Sequence, residues 1–168
     1  INCGSNENVT IGSQVYLADN LASKYLSSPD NILEATTSNS IPQTDEFGLY
    51  KNARIFTKSS KYTFKISQKG RVWIRLYLSP FVFNTYNPSS AKFLVSIPNH
   101  VLLNDFKSDS VAKREFLVNI TSDSLVITLS PSENSFAFLN ALEVVSAPDF
   151  LITDDAQGVS PAVKFEGL

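Results

Sequence analysis

The sequence holds one cysteine, one histidine and one tryptophan, and no methionine. A single cysteine, Cys3, excludes a disulfide within the chain, so Cys3 is either buried and free or paired with a group outside it. One cysteine and one histidine also exclude the usual zinc ligand sets. His100, in Pro98-Asn99-His100-Val101, is the one imidazole available as a base, and no G-x-S-x-G elbow accompanies it. It reads as a turn histidine whose ring caps a backbone carbonyl. The six glycines do not cluster, which excludes a loop that cradles phosphate. Neither Asp45-Glu46 nor Asp154-Asp155 fits a calcium loop. Acids within strand-like segments are scarce, with Glu115 and Glu143 the clearest. No cofactor is implied and the chain reads as non-enzymatic. With net charge −2 and pI near 5.4 it lacks the basic patch of a nucleic-acid binder. No run of 18 apolar residues occurs, so no membrane contact is expected of this chain. It opens at Ile1 without the charged and apolar regions of a signal peptide, so any leader is expected either to have been removed already or never to have been there.

What the sequence does hold is alternation. From residue 62 onward apolar residues recur with period 2: Tyr62, Phe64 and Ile66; then Ala91, Phe93, Val95 and Ile97; then Phe116, Val118 and Ile120; then Leu125, Ile127 and Leu129. Val101 to Phe106 is a further short apolar segment, and Phe136 to Val145 reads as one last strand. Gln68-Lys69-Gly70 makes a turn at which glycine is free to take positive φ. Strands at roughly ten-residue spacing, separated by Ser, Asn, Pro or Gly, predict an all-β antiparallel sandwich or jelly roll. In the first third, Val15-Tyr16-Leu17 predicts a short strand and Leu21 to Leu26 a helical turn. Ser38 to Phe47 predicts a polar loop, and Leu49 to Thr57 a return to apolar alternation. After Pro148 the alternation fades, which places the sandwich over residues 1–150 and a linker over 151–168.

The stretch 69–81, KGRVWIRLYLSPF, is the most regular. Val72, Ile74, Leu76 and Leu78 fall on one side, and Arg71, Trp73, Arg75 and Tyr77 on the other. Trp73, Arg75 and Tyr77 are candidates for a carbohydrate-stacking platform. They are equally candidates for a structural layer, with Arg75 held between two rings at i, i+2, i+4 spacing. A strand so apolar on its other face reads as central, and central strands are commonly covered on both sides. Two glycosylation sequons, at Asn8 and Asn119, point to a secreted protein; Asn87-Pro88-Ser89 is excluded by its proline.

Several segments occur in a telling order. They are Ile1-Asn2-Cys3-Gly4, Tyr50-Lys51-Asn52-Ala53-Arg54-Ile55-Phe56, Gly70-Arg71-Val72-Trp73-Ile74-Arg75-Leu76-Tyr77, Ser90-Ala91-Lys92-Phe93, His100-Val101-Leu102-Leu103, and 136–145, FAFLNALEVV. Together they resemble the first malectin-like domain of plant receptor-like kinases of the FERONIA and THESEUS type, from Ile1 to about Pro148. One departure is Val72, where many relatives carry histidine. The resemblance makes Tyr50, Arg54, Phe56, Gly70, Trp73, Arg75, Asn140 and Glu143 a structural family motif. It implies a glycosylated extracellular β-sandwich at the plasma membrane, with a second malectin-like domain in cis and a Ser/Thr kinase domain elsewhere in the full-length protein. The implied partners are a secreted alkalinisation-type peptide and a GPI-anchored co-receptor. Cell-wall polysaccharide, pectin or glucan, is the alternative ligand, and a plain structural spacer the third reading.

Overall fold

The computed structural model describes residues 1–27, 33–36, 46–80, 82, 85–107, 110–147 and 162–165. Every paired strand among them is antiparallel. The first larger sheet has the order β13 (Ala141–Ser146), β7 (Gly70–Leu78), β10 (Ala112–Ile120), β14 (Ala162–Phe165). The second runs β3 (Leu26–Ser27), β6 (Ser60–Lys65), β11 (Ser124–Pro131), β8 (Phe93–Ile97), β9 (His100–Phe106). A small sheet joins β12 (Ala137–Leu139), β5 (Asn52–Phe56) and β4 (Leu33–Thr36), and β1 (Val9–Ile11) pairs with β2 (Gln14–Tyr16) as a hairpin. Among the described residues helix is limited to 3-10 turns at Ser23–Tyr25, Phe47–Tyr50 and Pro88–Ser90. This is the all-β sandwich with short helical turns that the alternation predicts.

One core cluster joins the two larger sheets. Val72, Ile74, Leu76 and Leu78 of β7 belong to it with Phe116 and Val118 of β10, and across the sandwich with Tyr62, Leu125, Ile127 and Phe93. Alternation makes this possible, because period 2 sends each strand's apolar set to one face. A second, smaller cluster lies on the outer face of the first sheet. Tyr16, Leu49, Tyr50, Tyr77 and Ala141 pack there under the β1–β2 hairpin and the turn Phe47–Tyr50.

Three local expectations are corrected. The run 136–145 is two strands: β12 pairs with β5 of the small sheet, whereas β13 pairs with β7. Asn140 is the joint between them and is fully buried. Its Oδ1 accepts from the Ser79 N–H at 2.6 Å and its Nδ2 donates to the Asn52 carbonyl at 2.8 Å, so one side chain ties three segments. Residues 53–56 do not alternate either, since Ala53, Arg54, Ile55 and Phe56 are all buried. Residues 162–165, linker by composition, form β14 and pair with β10 from Glu115 to Val118. Most of the loop predicted over Ser38 to Phe47 lies outside the described residues.

Asn140→Ala is expected to cost about 2–4 kcal/mol, because a buried Ser79 N–H and Asn52 carbonyl both lose their partner. A fall in the urea midpoint at unchanged m-value is the measurement that checks it.

Candidate functional site

The site begins with strand register. On the outer face of the first sheet, Tyr77 stands between Ala141 and Lys113, Arg75 between Glu143 and Glu115, and Trp73 between Val145 and Leu117. Arg71 stands opposite Asn119. Cross-strand neighbours on one face are close enough to bond or pack.

Arg75 sits between two carboxylates. Its Nε donates to Glu115 Oε1 at 2.5 Å and its Nη1 lies 3.2 Å from Glu143 Oε2. The guanidinium carbon is 5.8 Å from the Trp73 ring centroid, within cation–π range. Glu143 is buried, and its Oε2 also accepts from the Tyr16 and Tyr77 hydroxyls, each at 3.1 Å. Its Oε1 has no partner among the described residues. Lys113 reaches Glu46 at 3.0 Å and lies 6.0 Å from the Tyr77 centroid. Burial, aided by nearby carboxylates, pushes the Tyr16 phenol up to about 12 and raises Tyr77 further. Both phenols therefore stay protonated at neutral pH and act as donors to Glu143. Tyr77 is 1% exposed, so its ring offers no face to a sugar. Trp73 is half-buried.

The remaining motif residues are structural neighbours of this layer. Tyr50 meets Tyr77 edge-on at 6.0 Å, and Phe56 meets Tyr62 at 6.2 Å in the core. Gly70 opens β7 at φ 131°, a conformation that favours glycine, as the turn Gln68-Lys69-Gly70 requires. Arg54 belongs to a separate buried knot. It holds Asp19 through Nε at 3.0 Å and Nη2 at 2.5 Å, and Nη2 also reaches Asn20. Asp19 accepts in addition from the Gly4 N–H and the Tyr62 hydroxyl, both at 2.9 Å. The Tyr62 hydroxyl is also 3.4 Å from the sulfur of Cys3, which is free and fully buried. Sequence reasoning missed Tyr16, Glu46, Lys113 and Asp19 as members of these networks. Only an acid next to an otherwise apolar run, as at Asp19, could have drawn notice.

Both sequon asparagines are exposed. Asn8 accepts from the Ala18 N–H through Oδ1 at 2.8 Å, and the same bond survives if a glycan occupies its nitrogen. His100 opens β9, with Nδ1 3.2 Å from the Pro98 carbonyl as a turn histidine requires. Among the described residues no group of three potential metal ligands occurs, and no helix is long and apolar enough to cross a membrane.

The buried thiol and phenols set an alkaline limit. Burial raises Cys3 from 9.0 and Tyr50 from 10.0, both to about 12, as it does Tyr16. Below pH 9 each group is protonated in both states, and the stabilisation is complete. Above it the unfolded chain ionises while the folded chain does not, so stability falls as pH rises from about 9 to 12. Urea midpoints measured from pH 8 to 11 are expected to decline steadily, and a flat series would contradict this. At neutral pH the thiol is expected to resist aromatic disulfide reagents until the chain unfolds.

The Malectin domain model matches residues 1–140. Receptor-like protein kinase HERK 1 of Arabidopsis thaliana is 43% identical over 100% of this chain and 20% of its own length. THESEUS 1 of the same plant is 40% identical with the same coverage. The chain thus spans about a fifth of the curated relatives it matches. The solved plant receptor-like kinase FER superposes with a TM-score of 0.78 at 30% identity, covering 88% of this chain and 41% of that one. A structure of the plant peptide RALF23 in complex with FER and LLG2 superposes at 0.74, with 28% identity, over 93% of this chain and 41% of that one.

Proposed function

We infer the role of this chain from the family it belongs to, the malectin-domain proteins represented by FERONIA- and THESEUS-type plant receptor-like kinases. It is an ectodomain module on the outer side of the plasma membrane that recognises a secreted peptide together with a GPI-anchored co-receptor. A second malectin-like domain follows in cis, and the signal passes to a kinase domain outside the matched stretch. The observation that carries this is the likeness, over 93% of the chain, to a receptor solved with the peptide RALF23 and with LLG2. Asn8 and Asn119 carry N-glycans, a reading supported by their exposure and checked by the mass lost on deglycosylation.

The polar layer of β7 supports a protein-recognition role over a sugar platform. Arg75 is committed to Glu115 and Glu143, and Tyr77 is buried, so both brace the sheet. The carbohydrate reading keeps one observation in its favour, the partly exposed Trp73. Tryptophan emission that responds to oligogalacturonide or glucan would support it. For the principal reading, the chain is immobilised and RALF-type peptides are titrated with and without the co-receptor. A saturable response that depends on the co-receptor is expected. No response across the peptide set sinks the proposal.

A further inference from the structure

The sequon at Asn119 and the half-buried Trp73 share one face of the first sheet. Phe116, Val118 and Ile120 of β10 belong to the core, so Leu117 and Asn119 point outward, as Arg71 and Trp73 do on β7. Register sets Asn119 against Arg71 and Leu117 against Trp73, which makes Asn119 and Trp73 diagonal neighbours. Diagonal partners on adjacent antiparallel strands lie about 7–8 Å apart, within reach of a large side chain. The ladder ends one pair further on, at Ile120 and Gly70. A group attached to Asn119 therefore either leaves the end of the sheet for water or lies back over the β7 face.

That face offers an apolar row. Val145, Trp73 and Leu117 stand side by side across β13, β7 and β10, and all three are half-buried. The Arg75 guanidinium lies 5.8 Å from the indole centroid, and Asn119 stands in the row on the other side of Trp73. Asn119 is exposed, and so is Thr121, which completes its sequon. The first sugar of an N-glycan is N-acetylglucosamine, joined directly to the asparagine nitrogen. Its pyranose has an apolar C–H face and its acetamide a methyl group, and both pack on an indole as aliphatic side chains do. The covalent link removes most of the translational cost that a free sugar would bear on binding.

We propose that Trp73 is the binding platform for the chain's own glycan: the first N-acetylglucosamine on Asn119 lies across the indole and Leu117. The sugar completes a surface that the polypeptide leaves half-covered, and it screens Trp73 from soluble oligosaccharides. Trp73 thus meets a sugar, but one held in cis by the neighbouring strand. The inference rests on the occupancy of Asn119 proposed above, which mass reads separately from contact.

The test uses the chain secreted from a eukaryotic host that makes high-mannose glycans, with Thr10→Ala to remove the Asn8 sequon and keep the Asn8 side chain. Endoglycosidase trimming leaves one N-acetylglucosamine on Asn119, and Thr121→Ala supplies the same chain without it. Intact mass first establishes occupancy. Trp73 is the sole tryptophan, so its emission has one source. With the sugar present, that emission is expected to be bluer and its acrylamide quenching at least about twofold weaker. The N-acetyl methyl resonance is expected to move upfield under the ring and to show cross-relaxation with the indole protons. Trp73→Leu in the glycosylated chain is expected to abolish that upfield shift. The urea midpoint of the glycosylated chain is expected to exceed that of Thr121→Ala, by a margin that Trp73→Leu removes. Should Trp73→Leu fail to fold, the comparison with Thr121→Ala decides by itself. Equal quenching in those two chains, or a methyl resonance at its solvent position, overturns the platform while occupancy stands. So does an emission response of the glycosylated chain to glucan or oligogalacturonide. An unoccupied Asn119 overturns the occupancy reading and the platform together.

Discussion

Replacing Arg54 by methionine is expected to lower the unfolding free energy by about 3–5 kcal/mol. The guanidinium is 4% exposed and its partner Asp19 not at all. Their attraction in the interior does little more than offset the cost of removing both from water, so the pair is no surplus of stability. Removing one member is different, because it leaves Asp19 charged, buried and short of its ionic partner. The Gly4 N–H and Tyr62 hydroxyl continue to donate to Asp19, which holds the loss to that range rather than abolishing the fold. For a chain of 168 residues the loss corresponds to a drop in Tm of about 10 °C. A double-variant cycle with Asp19→Asn gives the sharper readout. Once the charge is gone, Arg54→Met is expected to cost markedly less, giving a coupling above about 1 kcal/mol. Equal costs in the two backgrounds would show that Arg54 acts by packing alone.

The contrast between Arg54 and Arg75 shows what was legible in the sequence. Arg75 lies in a strand whose alternation fixes its face. Its neighbours Trp73 and Tyr77 were therefore readable as one layer, and the sandwich followed from the same period. Its carboxylate partners were not, because Glu115 and Glu143 reach it through register between distant segments. Asp19 and Arg54 are further from view, since a 35-residue separation and a buried bond leave no local pattern. Asn140 was hidden for another reason. The run around it is apolar but for Glu143 and reads as one strand, while the bonds that break it lie in β5 and after β7. The β14 pairing was invisible because four residues are too few for a periodic signal.

Gly4→Ala is expected to be as damaging as loss of Arg54, by a purely steric route. Gly4 has φ +68°, where a Cβ costs about 1–2 kcal/mol by itself. The added methyl would also lie 2.0 Å from the Ala53 carbonyl oxygen and 2.4 Å from its carbon. Those atoms are backbone of β5, held in a three-stranded sheet, and cannot step aside as a flexible side chain would. Relief requires residues 3–5 to move away from β5, which pulls the Gly4 N–H off Asp19 and loosens the buried pair. The combined cost is expected to be about 3–5 kcal/mol. Gly12→Ala supplies the control, because Gly12 has φ +59° but nothing within 4 Å of the added methyl. It is expected to lose only about 1 kcal/mol from backbone conformation. The difference between the two urea midpoints thus isolates the close approach. Similar losses at both positions would mean that β5 yields to the methyl and that the packing around Asp19 is softer than these distances imply.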